Sequence, residues 1–401
     1  MISETNKATL ALLASVLHGK TPEKISLELW HDVLHELMAQ AVVALPAPYI
    51  SALALPADAQ QAYKSQVCLN LMNFHLLMQE QEKVISLLSE ANIPVVVLKG
   101  SSAAVNYPVP EYRAMGDIDI LVPPEYFRSA YETLVEAGYK TEESRDVFYR
   151  HVGFITPENI HLELHNYFSS SDNKEQNTTL DKMLFAGIAN RRVQVQVANY
   201  NVAMLPIKEN GLVLLGHINQ HLSDGLGLRQ IIDWMCYVER YLDDEFWERE
   251  FAEVAEKIGM KQLAIITTAM CQKYLGLKKD IHWCPYEPAC DELMEYILSQ
   301  GNFGQKAIAS EAERAKATVA SRLKKFRNPL RGLATAQRYG CLNWKACQKH
   351  RCLRPFAWLY QLIRWARRAR EEKVGMKMFF GANAKAREET QKLKKFYITR
   401  M

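Results

Sequence analysis

The stretch VVVLKGSSAAVNYPVPEYRAMGDIDILV, residues 95–122, runs from a β-branched segment through a Gly-Ser turn to two aspartates separated by one isoleucine. In an extended chain alternate side chains share a face, so Asp117 and Asp119 point one way while Ile118 and Ile120 point the other. Two like charges on one face repel, and desolvating them is costly without a cation or hydrogen bonds to compensate. A divalent metal ion is one such compensator. The competing reading is a solvated strand face bonded to Arg113 and nearby lysines.

On the N-terminal side of the acids, IPVVVL (93–98) reads as a strand entering the turn Lys99-Gly100-Ser101-Ser102, whose serines are placed to cap a short helix over 103–107. On the other side, DIDILV is a strand, and PPEYFRSAYETLVEAG is a helix opened by Pro123 and Pro124 and closed by Gly138. FYRHVGFIT reads as a further strand. IHLELHNYF then alternates, with His161, Glu163 and His165 on one face and Leu162 and Leu164 on the other. RRVQVQVANYNVAMLP supplies one or two last strands. These elements predict a small mixed sheet over residues 91–200.

Either side of it the apolar spacing is helical. ATLALLASVLHG and EKISLELWHDVLHELMAQAVV repeat every three to four residues, and Val67, Leu71, Phe74, Met78, Ile85 and Leu88 form one stripe of a longer helix. LVLLGHINQHL and LGLRQIIDWMCYVERYL resume the helical period after Ile207. The expected plan is α+β: a helical region 1–90, the α/β core 91–200, a helical domain 201–300 and a basic, mainly helical region 301–401.

The core combines a strand-Gly-Ser turn, an Asp-x-Asp strand and a later strand bearing Glu163. Backbone N–H groups of Gly100–Ser102 could hold phosphate oxygens, and Asp117, Asp119 and Glu163 could hold Mg²⁺, an ion that favours carboxylate and phosphate oxygens. Such a cluster suits phosphoryl or nucleotidyl transfer. The segments LKGSSAAVNYP, YRAMGDIDILV and IHLELH, with an echo in HINQHLSDGLGLRQIID, resemble the DNA polymerase beta-like nucleotidyltransferase superfamily. They resemble more closely a bacterial family of nucleotidyltransferase-like proteins often met beside polysaccharide genes.

The resemblance implies a nucleotidyltransferase core in which Gly100 and Ser101 open the nucleotide site, Asp117 and Asp119 bind metal and Glu163 is the third catalytic acid. It implies Mg²⁺ or Mn²⁺ as cofactor, an NTP as substrate, and a hydroxylated acceptor such as a sugar or small metabolite. Two departures stand out: glutamate replaces the usual third aspartate, and the opening pair holds only one glycine. An inactive module that keeps the fold is therefore the rival expectation. Lys99, Ser102 and Arg113 complete the expected nucleotide site, with Arg113 either touching the triphosphate or tying down the loop. His217 and His221 share a helix face at i, i+4 and could bind metal, line the acceptor side of the cleft or simply pack. His161 and His165 could support Glu163. Arg229 and Asp233, also i, i+4, most simply form an ion pair.

Of 401 residues 48% are hydrophobic, which argues against disorder. No apolar run is long enough to span a bilayer, so the expected location is cytoplasmic, with the inner membrane face as a peripheral alternative. Eight scattered cysteines do not make a disulfide scaffold. Cys341, Cys347, His350 and Cys352 lie close in sequence but lack the paired spacing of zinc knuckles, and read as ordinary thiols. The formal net charge of +4 hides an uneven distribution: 301–401 carries +19 and 1–300 carries −15. A tail this basic attracts a polyanion, an anionic membrane or the acidic body. Within 353–373, RPFAWLYQLIRWARRAREE drawn as a helix sets Trp358, Leu362, Trp365 and Ala369 on one side and Arg364, Arg367, Arg368 and Glu371 towards another. It is either a packed terminal helix or an interfacial one. Nucleic acid is the less favoured partner because no recognised binding motif accompanies the charge.

Overall fold

A computed structural model describes residues 2–53, 55–141, 150–169, 174–222, 225–277 and 281–302, Lys306, and parts of 337–371. They divide between two compact units, one drawn from Met1–Thr141 and Gly153–Ala307, the other from Glu142–Val152 and Ile308–Lys395.

The first unit opens with helices α1 (Glu4–Leu17), α2 (Trp30–Ala39) and α3 (Ala57–Glu90). α1 starts at Ser3, whose hydroxyl accepts the Asn6 N–H at 3.2 Å, and it buries Leu10, Leu13 and Leu17 along one stripe. α3 runs 34 residues and buries Phe74, Met78 and Leu88, while Val67, Leu71 and Ile85 lie at the edges of that stripe, half-buried. It ends where Asn92 takes φ 58, a left-handed conformation that asparagine tolerates better than most residues.

The core follows as β1 (Val96–Leu98), α4 (Gly100–Ala104), β2 (Ile118–Leu121), α5 (Phe127–Glu136), β3 (Lys140–Thr141), β4 (His151–Ile155), β5 (His161–His165), α6 (Lys174–Arg191), β6 (Val193–Val197) and β7 (Tyr200–Met204). The seven strands form one mixed sheet in the order β3-β4-β5-β2-β1-β7-β6. β1 pairs antiparallel with β2 and parallel with β7, and β2 pairs parallel with β5. Every residue of β1 and β2 is buried, as expected of central strands covered on both faces. The mixed sheet flanked by helices is the architecture the sequence predicts.

Two details differ from expectation. The helix after β1 begins at Gly100, so Ser101 and Ser102 lie inside its first turn and cap nothing. The helix starts three residues early because the chain already turns at Lys99 and Gly100, which both adopt positive φ, 50 and 47. Helix α6, between β5 and β6, has no counterpart in the sequence reading. Its inner stripe is Leu180, Leu184 and Ile188, all buried.

Helices α7 (Ile207–His221), α8 (Leu228–Tyr241), α9 (Asp244–Phe246), α10 (Ala252–Lys257), α11 (Lys261–Leu275) and α12 (Ala289–Gln300) complete this unit. Trp234 of α8 donates its indole N–H to Thr268 of α11 at 2.9 Å, satisfying a polar atom in an otherwise apolar layer. The second unit contains α13 (Ala357–Glu371), preceded by a 3₁₀ turn at Arg351–Phe356. Gln337 donates to the Arg354 carbonyl at 2.6 Å and accepts the Trp358 N–H at 3.2 Å, and Trp344 stacks on Tyr360 with centroids 5.2 Å apart. Cys341, Cys347, His350 and Cys352 do not gather into a metal-binding group among the described residues. Nor is any described helix long and apolar enough to cross a membrane.

α7 and α8 matter most to the site, and they approach closely at Gly211. A methyl group there would stand 2.3 Å from the Tyr237 ring, which is itself fully buried. Gly211→Ala is expected to destabilise the protein by about 1–3 kcal/mol, because overpacking outweighs the helix propensity gained. Thermal melting checks this, and an unchanged or raised Tm would contradict it.

Candidate active site

β2 places Asp119 between two strands at once. Across one edge it faces Leu98 of β1, and across the other it faces Glu163 of β5 in parallel register. Asp117 lies one residue before β2 and is half-buried. Glu163, far from both aspartates in sequence, is therefore brought opposite Asp119 on the neighbouring strand.

Asp119 is 3% exposed, and both its oxygens are engaged. Lys99 Nζ lies 2.8 Å from Oδ2, and His165 Nε2 lies 2.9 Å from Oδ1. The positive φ of Lys99 turns the chain directly after Leu98, the residue paired with Asp119, so that the ammonium reaches back to the carboxylate. Backbone strain of this kind is concentrated at functional sites. His165 Nε2 also lies 3.2 Å from Glu163 Oε2, with which it shares a face of β5. Glu163 and His165 thus offer ligand atoms close enough to share a metal ion.

The electrostatics follow from this packing. Burial would raise the Asp119 pKa, but the Lys99 charge and the His165 hydrogen bond outweigh it and hold the carboxyl below its ordinary range. Burial likewise opposes the charged forms of Lys99 and His165, and the surrounding acids outweigh it, so both are raised. Asp117 is raised, first by the negative charge of Asp119 and then by burial. Such a raised carboxyl marks a site with more negative charge than its resident cations balance. Asp117, Asp119 and Glu163 offer the oxygen donors that a hard divalent cation takes, but among the described residues the three do not form one group of ligand atoms within 4.8 Å of one another.

The loop that delivers Asp117 is tied from two sides. From α3, Asn70 donates to the Glu111 carbonyl at 3.0 Å and Asn73 to the Met115 carbonyl at 2.6 Å. From α8, Arg229 donates to the Ala114 carbonyl at 3.0 Å, and Asp233 accepts a two-pronged contact from Arg113, Nε to Oδ1 at 2.8 Å and Nη2 to Oδ2 at 2.7 Å. Tyr107 adds a hydrogen bond to Asp233 at 2.7 Å. Arg113 is therefore in the loop-tying arrangement. The simple Arg229–Asp233 pair expected from their spacing gives way, because Arg113 and Tyr107 occupy the carboxylate.

The remaining predicted residues are distributed as follows. Ser101 donates its hydroxyl to Gln81 of α3 at 2.8 Å, and Ser102 donates to the Lys99 carbonyl at 2.8 Å. Asn210 of α7 donates to the Ser102 carbonyl at 3.1 Å, which docks the helical region on the turn. His161 lies at the start of β5 and is exposed. His217 and His221 stack edge-to-face on α7 with centroids 4.4 Å apart. Tyr107, Gln81, Asn70 and Asn73 are supporting residues that the sequence reading missed. Each acts on a partner between 20 and 126 residues away, so no local signal could have found them.

The family described as uncharacterised nucleotidyltransferase matches residues 26–276. The chain belongs to that family. The match includes every residue of the acidic site and the helices that tie its loop. A solved structure, that of an antigenic nucleotidyltransferase-like protein from Paracoccidioides brasiliensis, is similar over 52% of this chain and 93% of its own. Its sequence identity is 11% and its TM-score is 0.32. No curated protein matches the sequence.

In this nucleotidyltransferase-family chain the α7 histidines are held neutral. Burial, then His221 and the cations Lys99 and Arg229, push His217 well below its ordinary range. Burial, then Lys99 and Arg229, bring His221 down to about 3. An unfolded histidine protonates near pH ~6.5, so acid favours the unfolded chain and stability falls as pH drops below that value. For His221 the loss continues towards pH 3. Each histidine is expected to contribute a loss of ~1 kcal/mol at pH ~5.5. Urea unfolding at pH ~7.5 and ~5.5 should show a smaller acid loss in His221→Gln than in the wild type, and an equal loss would refute the neutral assignment.

Proposed function

We propose that the protein is a metal-dependent nucleotidyltransferase that moves an NMP group from an NTP to a hydroxyl of an acceptor, a sugar or another small metabolite. The observation that carries this reading is the strand pairing that sets Glu163 opposite Asp119, with Lys99 of the Lys99-Gly100 turn bonded to Asp119, in a member of a nucleotidyltransferase family. Asp117, Asp119 and Glu163 would hold Mg²⁺ or Mn²⁺. When bound, such an ion neutralises phosphate charge and acidifies an attacking hydroxyl.

The chain's own residues divide the remaining work. The backbone amides of Gly100 and Ser101 receive phosphate oxygens, and Lys99, kept as an ammonium by its acidic neighbours, balances their charge. Ser102 braces the turn. Arg113 acts through the loop, keeping Asp117 in place by its hold on Asp233. Glu163, whose side chain is 35% exposed against 3% for Asp119, is open to an incoming hydroxyl and takes its proton. His165 orients Glu163 and Asp119. His217 and His221, neutral at pH 7, offer polar but uncharged contacts on the acceptor side.

One observation favours the rival reading of a nucleotide-binding module without turnover. Lys99 and His165 already occupy both oxygens of Asp119, as counter-ions in a metal's stead would. Two variants separate the readings. Asp117→Asn with Asp119→Asn removes two charges at nearly constant volume, and is expected to reduce Mg²⁺-dependent NTP affinity at least ~tenfold by calorimetry while the fold persists. Unchanged Mg²⁺-dependent affinity would remove the acids from the site. Glu163→Gln is expected to preserve most nucleotide affinity and to lower pyrophosphate release ~10²-fold or more with acceptor present, since it acts where charge develops. Wild-type turnover in that variant would make the glutamate structural. Nucleotide binding without pyrophosphate release from the wild type, across acceptors from its source cells, would favour the module.

A further inference from the structure

The second unit presents an apolar surface of its own. Along the turn and the first two turns of α13, Phe356 is 57% exposed, Leu359 45% and Ile363 49%. Their spacing of three and four residues sets them on one face of the helix, where exposed Pro355 continues the strip and exposed Arg354 adjoins it. The opposite face packs inward, with Ala357 and Gln361 buried and Trp358 half-buried, and beside the strip Tyr360 stacks on Trp344. The exposed apolar residues are thus Phe356, Leu359 and Ile363, while Trp358, on the side the sequence reads as either packed or interfacial, is half-buried.

Three large apolar side chains in a row on a solvent face call for a partner. The charge of the region says which kind. Residues 301–401 carry a net +19, and α13 alone includes Arg364, Arg367, Arg368 and Arg370 in its sequence. A protein partner with an apolar groove would not require this excess of cations. Nucleic acid would accept the charge and a base could stack on Phe356, but Leu359 and Ile363 add no aromatic face to continue such a platform. An anionic lipid surface satisfies both features, since it takes apolar side chains below the headgroups and attracts arginines at their level. We infer that the 354–363 face of this protein is a peripheral docking surface for anionic membranes.

Binding of this type is weak and reversible, because a few inserted side chains and a polybasic segment together give modest affinity. The net +19 of residues 301–401 supplies the electrostatic part of the attraction.

The test uses the full-length protein and co-sedimentation with vesicles of phosphatidylglycerol mixed with phosphatidylcholine, against vesicles of phosphatidylcholine alone. Wild type is expected to pellet with the anionic vesicles at low salt, to release as salt rises, and to ignore the neutral ones. Leu359→Glu with Ile363→Glu should weaken pelleting at least ~tenfold through lost burial, and Arg354→Gln about fivefold through lost attraction. All three positions are exposed, so the melting temperature should hold. A second pair, Leu359→Ala with Ile363→Ala, adds no charge and should weaken pelleting in the same direction. Failure of the wild type to pellet would overturn the inference. Pelleting that both apolar pairs leave unchanged would overturn it too, as would a fall in melting temperature with every variant, which would mean the face is packed against protein. A gel shift of single-stranded RNA over a salt series, with tight binding that the apolar pairs leave unchanged and no vesicle association, would assign the charge to nucleic acid instead.

Discussion

A carboxylate buried in the middle of a sheet is the constraint from which the site is built. Asp119 sits on a central strand with almost no exposure, so its charge has to be met within the protein. Lys99 and His165 meet it from opposite sides, one from the turn after β1 and one from β5. Each needs a particular backbone. Lys99 reaches Asp119 because its own residue and Gly100 turn the chain through positive φ, and His165 reaches it because β5 pairs in register with β2. The same register brings Glu163 opposite Asp119. Asp117, two residues before Asp119, is left with its carboxyl raised by the Asp119 charge and by burial.

The helices around the sheet hold this arrangement in place. Asp117 precedes β2 on a loop with no strand pairing of its own, and side chains from α3 and α8 supply the missing constraint. Arg113 and Asp233 form the strongest of these links, with two charge-assisted hydrogen bonds in a buried setting. Losing either partner would leave an uncompensated charge inside the protein, so the loop, α8 and the acidic site are energetically tied. A helical region that reads as separate from the core is thereby part of the site.

How much of this was legible depended on whether the signal was local. Strand alternation grouped Glu163 with His161 and His165 on β5, but the strand expected to carry both aspartates begins at Ile118 and leaves Asp117 on the loop before it. Helical spacing found α3, α7 and α8. It overlooked α6, whose Leu180, Leu184 and Ile188 stripe is diluted by polar residues in its first turns. Serines beside a glycine suggested a cap, yet their hydroxyls went to Gln81 and the Lys99 carbonyl. Spacing alone paired Arg229 with Asp233, and a distant arginine took the carboxylate with better geometry. On α13 the wheel put Trp358 on an apolar side and left open whether that side packs or meets a membrane; Trp358 is half-buried, and the large apolar residues left exposed are Phe356, Leu359 and Ile363.

By itself the chain of residues determined the mixed sheet, its helical flanks, the acids on two strands and the basic character of the C-terminal region. All of these rest on periodicity or composition, which neighbours in sequence express. Only the tertiary structure decided which acids meet, which cation neutralises Asp119, and which residue secures the loop before Asp117. Those choices depend on strand order and register and on helices packed across the sheet, and they join partners as much as 126 residues apart.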